Sequence, residues 1–247
     1  MAKKNLIFLT TLLLFSFFIS SFAQTKKEKD VIRTARGDLT IHFIGHGSLM
    51  MEWQNKVIHI DPYGKMADYS KLPKADLILI THHHPDHFDP DAIAKIKKND
   101  TVIVYTKKCE ERLKGGIVIA NGERKTVLGI PIQAVPAYNL VHKRETGVPF
   151  HPKGEGNGYV LTFEDVRIYV AGDTENIPEM KDLKGIDIAF LPMNLPYTMT
   201  PEMVKDAALM IRPKVLYPYH FGETDPTRIV ELLKDHPEIE VRIRDMR

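Results

Sequence analysis

A single cysteine, Cys109, stands in the 247-residue chain, so no internal disulfide can form and stability must come from a buried core. Cys109 follows Lys107-Lys108 without a compelling base partner. A glycine-rich phosphate loop is also missing. The chain has no internal repeat of fixed period and no low-complexity tract beyond its first residues.

An excess of charge is absent as well, once the start of the chain is set aside. Met1-Ala2-Lys3-Lys4 is a short basic start, residues 6–19 are apolar, and Ser21-Phe22-Ala23 offers small residues where a signal peptidase reads. Residues 1–23 therefore read as a signal peptide cut after Ala23, and the protein is expected to be periplasmic or secreted. The apolar stretch is shorter than the roughly 20 residues a spanning helix needs, and Thr10, Thr11 and Ser16 dilute it. No stable membrane anchor is expected after cleavage. The formal charge of the whole chain is +2. Losing Lys3 and Lys4 with no acid brings it to neutral, which leaves no argument for nucleic acid as a partner. A small-molecule substrate is the expected partner, and oligomeric state is not legible.

Residues 24–37 are charged and aperiodic and read as a solvated linker, with one domain over 38–247. Residues 39–44, 48–53 and 57–60 predict a β-meander in which Leu39, Ile41 and Phe43 share one face. A βαβ-like stretch follows: a strand over 76–80, a helix over 90–98 with Asp89 as N-cap and Pro90 at its first position, and a strand over 101–105. Further strands are predicted over 116–120, 126–128, 130–135, 159–163 and 166–171. The C-terminal part alternates strands over 186–191, 215–218 and 239–243 with helices over 201–211, capped by Thr200, and 226–234. That order suits two β-rich halves packed face to face with helices outside.

Four of the eleven histidines lie in six consecutive residues, His82-His83-His84-Pro85-Asp86-His87, directly after the apolar run Asp76-Leu77-Ile78-Leu79-Ile80. Read as His82-x-His84-x-Asp86-His87, the turn offers three imidazoles and a carboxylate to one or two transition-metal ions. Asp173, in Ala171-Gly172-Asp173-Thr174, and His220, after Val215-Leu216-Tyr217-Pro218-Tyr219, each close another predicted strand. Asp61 closes a fourth and reads either as a ligand or as a carboxylate that orients one. His46, in Gly45-His46-Gly47-Ser48, lies on a tight turn from which it reaches a substrate or bonds to backbone, whereas His42, His59 and His236 read as structural or exposed.

Asp61, the Thr81–His87 element, Ala171-Gly172-Asp173-Thr174 and His220, in that order, resemble the metallo-β-lactamase-fold superfamily of metal-dependent hydrolases. The Gly-His-Gly-Ser turn and Ile60-Asp61-Pro62-Tyr63 look closest to its small single-domain branch, which includes ascorbate-phosphate-lactonase-like enzymes. The resemblance implies an α+β fold, a four-layer αββα sandwich of two mixed sheets with metals at one rim. By position, His82 and His84 would hold one ion, Asp86, His87 and His220 the other, and Asp173 would bridge them. The family's third histidine for the first ion is missing, because the strand end reads Val135-Pro136-Ala137-Tyr138-Asn139. His151 is favoured in its place, with Asn139 and His142 as the other donors, and contact with substrate as the other role for His151. The donor types fit two Zn²⁺ ions, with Mn²⁺ or Fe²⁺ also suited. The implied reaction is attack by a metal-bound hydroxide on a small ester, lactone, amide or phosphodiester, with Asp86 orienting the hydroxide and His46, Tyr138 or Lys153 steadying an oxyanion. The competing expectations are a mononuclear iron oxygenase of the same fold and a metal-binding protein without turnover. Nucleic-acid-processing relatives carry an added domain for which this chain has no room.

Overall fold

Runs of β-branched, aromatic and aliphatic residues broken by glycine and asparagine turns build two seven-stranded sheets in the computed structural model, which describes residues 28–247. The first sheet holds β1 (Lys29–Thr34), β2 (Gly37–Gly45), β3 (Ser48–Trp53), β4 (Lys56–Ile60), β5 (Leu77–Leu79), β6 (Val102–Tyr105) and β7 (Ile117–Val118), in chain order across the sheet. The second holds β8 (Arg124–Val127), β9 (Ile130–Ala137), β10 (Gly156–Phe163), β11 (Val166–Val170), β12 (Ile188–Pro192), β13 (Val215–Tyr219) and β14 (Glu240–Val241), again in order. Both sheets are mixed: pairing is antiparallel in the hairpins and parallel from β4 to β7 and from β11 to β14. Each half thus begins as a meander and ends in crossover units, the order read from the sequence.

Leu39, Ile41 and Phe43 of β2 face inward and are buried. Phe43 meets Tyr217 of the opposite sheet at 5.1 Å between ring centroids, and Trp53 meets Phe163 at 5.4 Å edge-on. These pairs lie in the apolar layer between the sheets. A smaller cluster packs Ile93 and Ile96 of α1 (Pro90–Ile96) against Ile78, Ile80 and Phe88. After the short α2 (Lys107–Glu110), α3 (Pro201–Ile211) and α4 (Thr227–Leu232) cover the second sheet, contributing Val204, Ala207, Ile211 and Ile229 to the core. Asp89 caps α1 by accepting from the backbone N–H groups of Asp91 and Ala92, and Thr200 caps α3 by accepting from that of Met203. The result is the expected αββα sandwich.

One expectation is corrected. Residues 29–34, read as part of a solvated linker, form the edge strand β1, antiparallel to β2. Asp30 explains the order: it accepts from Arg244 Nη2 at 2.8 Å and from the Tyr217 hydroxyl, so a charged residue is pinned to the second sheet. The expected signal peptide, residues 1–23, lies outside the described residues.

Candidate metal centre

Parallel strands leave their C-terminal ends at one rim of each sheet, and the polar side chains converge there. Asp61 follows β4, the 81–87 turn follows β5, Asp173 follows β11 and His220 follows β13. Thr81 O, accepting from Asn157 N–H at 2.9 Å, and Ile80 O, accepting from the Tyr159 hydroxyl at 2.8 Å, join the two sheets at this rim. Three residues here, His46, Asp61 and His220, hold left-handed backbone at φ +54°, +45° and +46°. Such conformations cost on the order of 1–3 kcal/mol each and persist where the surroundings enforce them. Gly47 is needed on steric grounds, since a Cβ there would come within 2.7 Å of His87 Cε1.

The side chains form two groups joined by one carboxylate. In the first, His82 Nε2 and His84 Nδ1 are 3.1 Å apart, and His151 completes a trio whose donor atoms lie within 4.8 Å of one another. In the second, His46, Asp86, His87 and His220 meet the same limit, with His87 Nε2 facing His220 Nε2 at 3.1 Å. Asp173 lies between them. Its Oδ1 is 3.4 Å from His87 Nε2 and 3.5 Å from His220 Nε2, whereas its Oδ2 is 3.2 Å from His151 Nε2 and 3.8 Å from His82 Nε2.

The far nitrogens of His82, His87 and His151 are tied down, which fixes the nitrogen each turns to the site. His87 Nδ1 donates to Asp61 Oδ2 at 2.8 Å. The Thr81 hydroxyl donates to Asp61 Oδ2 at 2.6 Å and accepts a hydrogen bond from His82 Nδ1 at 3.1 Å. Both Asp61 oxygens are thus engaged by Thr81 and His87, an arrangement that suits orienting the two histidines. His151 Nδ1 donates to Asn139 Oδ1 at 2.7 Å, and the His151 backbone N–H donates to the same oxygen at 2.9 Å. Asn139 is held in turn by donating from Nδ2 to Glu175 Oε1 at 3.1 Å and to Tyr197 O at 2.9 Å. The buried Glu175 carboxylate also accepts from the backbone N–H groups of Leu140, Val141 and His142 and from His142 Nδ1, all within 2.7 Å.

Burial and neighbouring charge set the ionisation of the group. Burial pushes the His84 pKa down to about 4, helped by His151, and burial with the neighbouring His87 holds His82 well below the ordinary imidazole range. Burial opposes the charge of Asp173, but His220, His87 and His151 outweigh it and hold this carboxyl well below its usual range. Burial likewise disfavours a charged His87, yet Asp173 and Asp61 lift it well above the ordinary value. Asp86, accepting from His220 and His46, stays ionised despite its burial. Two ionised carboxylates, Asp86 and Asp173, beside His82 and His84, which burial holds below the ordinary imidazole range, suit positive charge in their midst. Buried Asp173 Oδ1 has no hydrogen-bond partner among the described residues. These features fit divalent cations, and an all-N/O donor set without thiolate fits Zn²⁺, Mn²⁺ or Fe²⁺.

The expected ligands His82, His84, Asp86, His87, His151, Asp173 and His220 all meet here. Five other residues sit differently from their sequence reading. His46, read as a contact to substrate or backbone, lies among the donors with its Nε2 2.9 Å from Asp86 Oδ2. The Tyr138 hydroxyl, read as an oxyanion donor, instead donates to Glu179 at 3.0 Å, and Lys153 pairs with the same carboxylate at 2.7 Å. Asn139 has its carbonyl occupied by His151, and His142 is turned to Glu175, so both face away from the donor trio that His151 joins. Glu175 went unread because a single acid after a polar turn carries no spacing signal; the nearest clue was its position two residues past Asp173.

Comparison with known proteins agrees with this architecture. A family profile described as a beta-lactamase superfamily domain matches residues 40–220. A UPF0173 metal-dependent hydrolase of Thermococcus kodakarensis is 31% identical over 220 residues, covering 81% of this chain and 94% of that protein. The crystal structure of a candidate metal-dependent hydrolase from Parabacteroides distasonis is 49% identical, with a TM-score of 0.86 over 90% of this chain and all of that one. A metallo hydrolase of Ignicoccus hospitalis, 24% identical with a TM-score of 0.69 over 84% of this chain and 95% of its own, shares the fold.

Proposed function

The chain belongs to the beta-lactamase superfamily and is a metal-dependent hydrolase; from that premise we propose that it is exported and cleaves a small ester, lactone, amide or phosphodiester with water. The observation that carries this reading is Asp173, with one oxygen turned to each donor group. A carboxylate so placed suits two ions that share a bridging ligand. His82, His84 and His151 would hold one ion, and Asp86, His87 and His220 the other. When bound, two divalent cations supply a hydroxide at neutral pH and polarise the carbonyl or phosphoryl oxygen of the substrate.

The remaining work falls to the chain's own groups. Asp86 is the ligand-group carboxylate turned toward the cleft, with a side chain 33% exposed against 4% for Asp173. Asp86 would orient the attacking hydroxide and, as the new bond to oxygen forms and the scissile bond breaks, relay the hydroxide's remaining proton to the leaving atom. His46, at 2.9 Å, holds that carboxylate in place. Asp61, Thr81 and Asn139 hold the rings so that little reorganisation is needed as the reaction proceeds.

Chelation tests the proposal. Protein stripped with EDTA should lose hydrolysis across an ester, lactone and phosphodiester panel and regain it with zinc or manganese. Full activity in metal-free protein contradicts the reading.

A further inference from the structure

The donor cluster opens into a cleft of about 390 Å³ whose lining contains one lysine or arginine, Arg144. Arg144 sits on a narrow strap, where its N–H donates to Val148 O and Gly147 N–H donates to its own carbonyl, both at 2.8 Å, beside a Lys143–Pro149 bridge. The guanidinium lies over the Phe150 ring at 5.2 Å, and Nη2 donates to Phe150 O at 3.4 Å. Phe150 in turn meets Tyr197 edge-on at 5.0 Å across the same cleft.

What sets Arg144 apart in the cleft is that no counter-ion pairs with it among the described residues. Lys153, on the same loop, is neutralised by Glu179 at 2.7 Å. Among the described residues, the side-chain partners of Arg144 are only the carbonyl and ring of Phe150. A planar fork of five donors, stacked on an aromatic face and otherwise unspent, matches a two-oxygen anion. Beside it, Phe150 and Tyr197 give the cleft an apolar wall.

We infer that the substrate carries an oxyanion, carboxylate or phosphoryl, at a distance from the bond that is cut, gripped by Arg144 while its apolar part lies on Phe150 and Tyr197. This rests on the hydrolase reading for the identity of the site. Arg144 is a specificity residue and takes no part in bond making.

Binding tests the inference without requiring turnover. Zinc-loaded protein is titrated calorimetrically with succinate, glutarate and adipate, with the monomethyl ester of each, and with 3-phosphonopropionate. At least one diacid should bind ten-fold or more tighter than its monoester. Arg144→Ala should erase that advantage, leave the monoesters and the zinc content unchanged, and Arg144→Lys should restore only part of it. The relative affinity of phosphonate and diacid tells a phosphoryl from a carboxylate handle. No preference for diacid in the native protein, or an equal preference in Arg144→Ala, overturns the inference. A failure of the hydrolase reading would appear separately, as diacid binding with no turnover of any ester, lactone or phosphodiester.

Discussion

Asn139 decides what His151 can do. By accepting from Nδ1 it leaves Nε2 as the free donor, and its other arm is fixed on Glu175. Asn139→Leu should therefore lower affinity at the first metal position by about 10–100-fold, the usual cost of losing such support. Competition against a chromophoric chelator would read this as one weakened ion out of two; two unchanged affinities would contradict the role. A second prediction concerns pH. Burial pushes the His59 pKa down to about 4 from 6.5, with the ring bonded to Pro73 O. Between those values the unfolded chain binds the extra proton, so stability falls as pH drops through this window. In metal-free protein, the melting temperature of the native chain should fall more between pH 7 and 4.5 than that of His59→Gln. Parallel curves would refute the assignment. At this scale, the ligands legible in sequence were those beside strand ends. Tyr138 and His142 misled because nothing local shows that each faces a buried or half-buried acid, Glu179 or Glu175.

The elements were legible wherever a pattern or cap marks them. The α3 bounds match the sequence reading, because Thr200-Pro201 starts the helix and Arg212 ends it in a left-handed conformation at φ +53°. The α1 start matches as well, and its cap does a second job: Asp89 Oδ2 accepts from Gly64 N–H at 2.8 Å, joining the helix to the loop after β4. Asp89→Ala should cost about 1–2 kcal/mol, read as an earlier urea midpoint with an unchanged slope; a loss below a few tenths would contradict the cap. The edge strand β1 was missed because Lys29, Asp30 and Arg33 hide its three β-branched residues, and its order comes from a partner more than 200 positions away in the chain. No local rule sees Arg244 holding Asp30.

For the whole molecule, the fold follows from the repeated order of meander and crossover units, because parallel strands must place their loops at a common rim. The site is the meeting of those loops, which is why the candidate ligands from His82 to His220 were readable as a set while their supports were not. Export belongs to this scale too: intact mass of protein from the native host should begin at Gln24, and an uncleaved Met1 would exclude the signal peptide. The central claim, two ions bridged by Asp173, is tested most directly by anomalous diffraction from zinc-loaded crystals above and below the zinc edge. The account predicts two peaks, one among His82, His84 and His151 and one among Asp86, His87 and His220, with Asp173 between them. A single peak, or peaks away from Asp173, would contradict it.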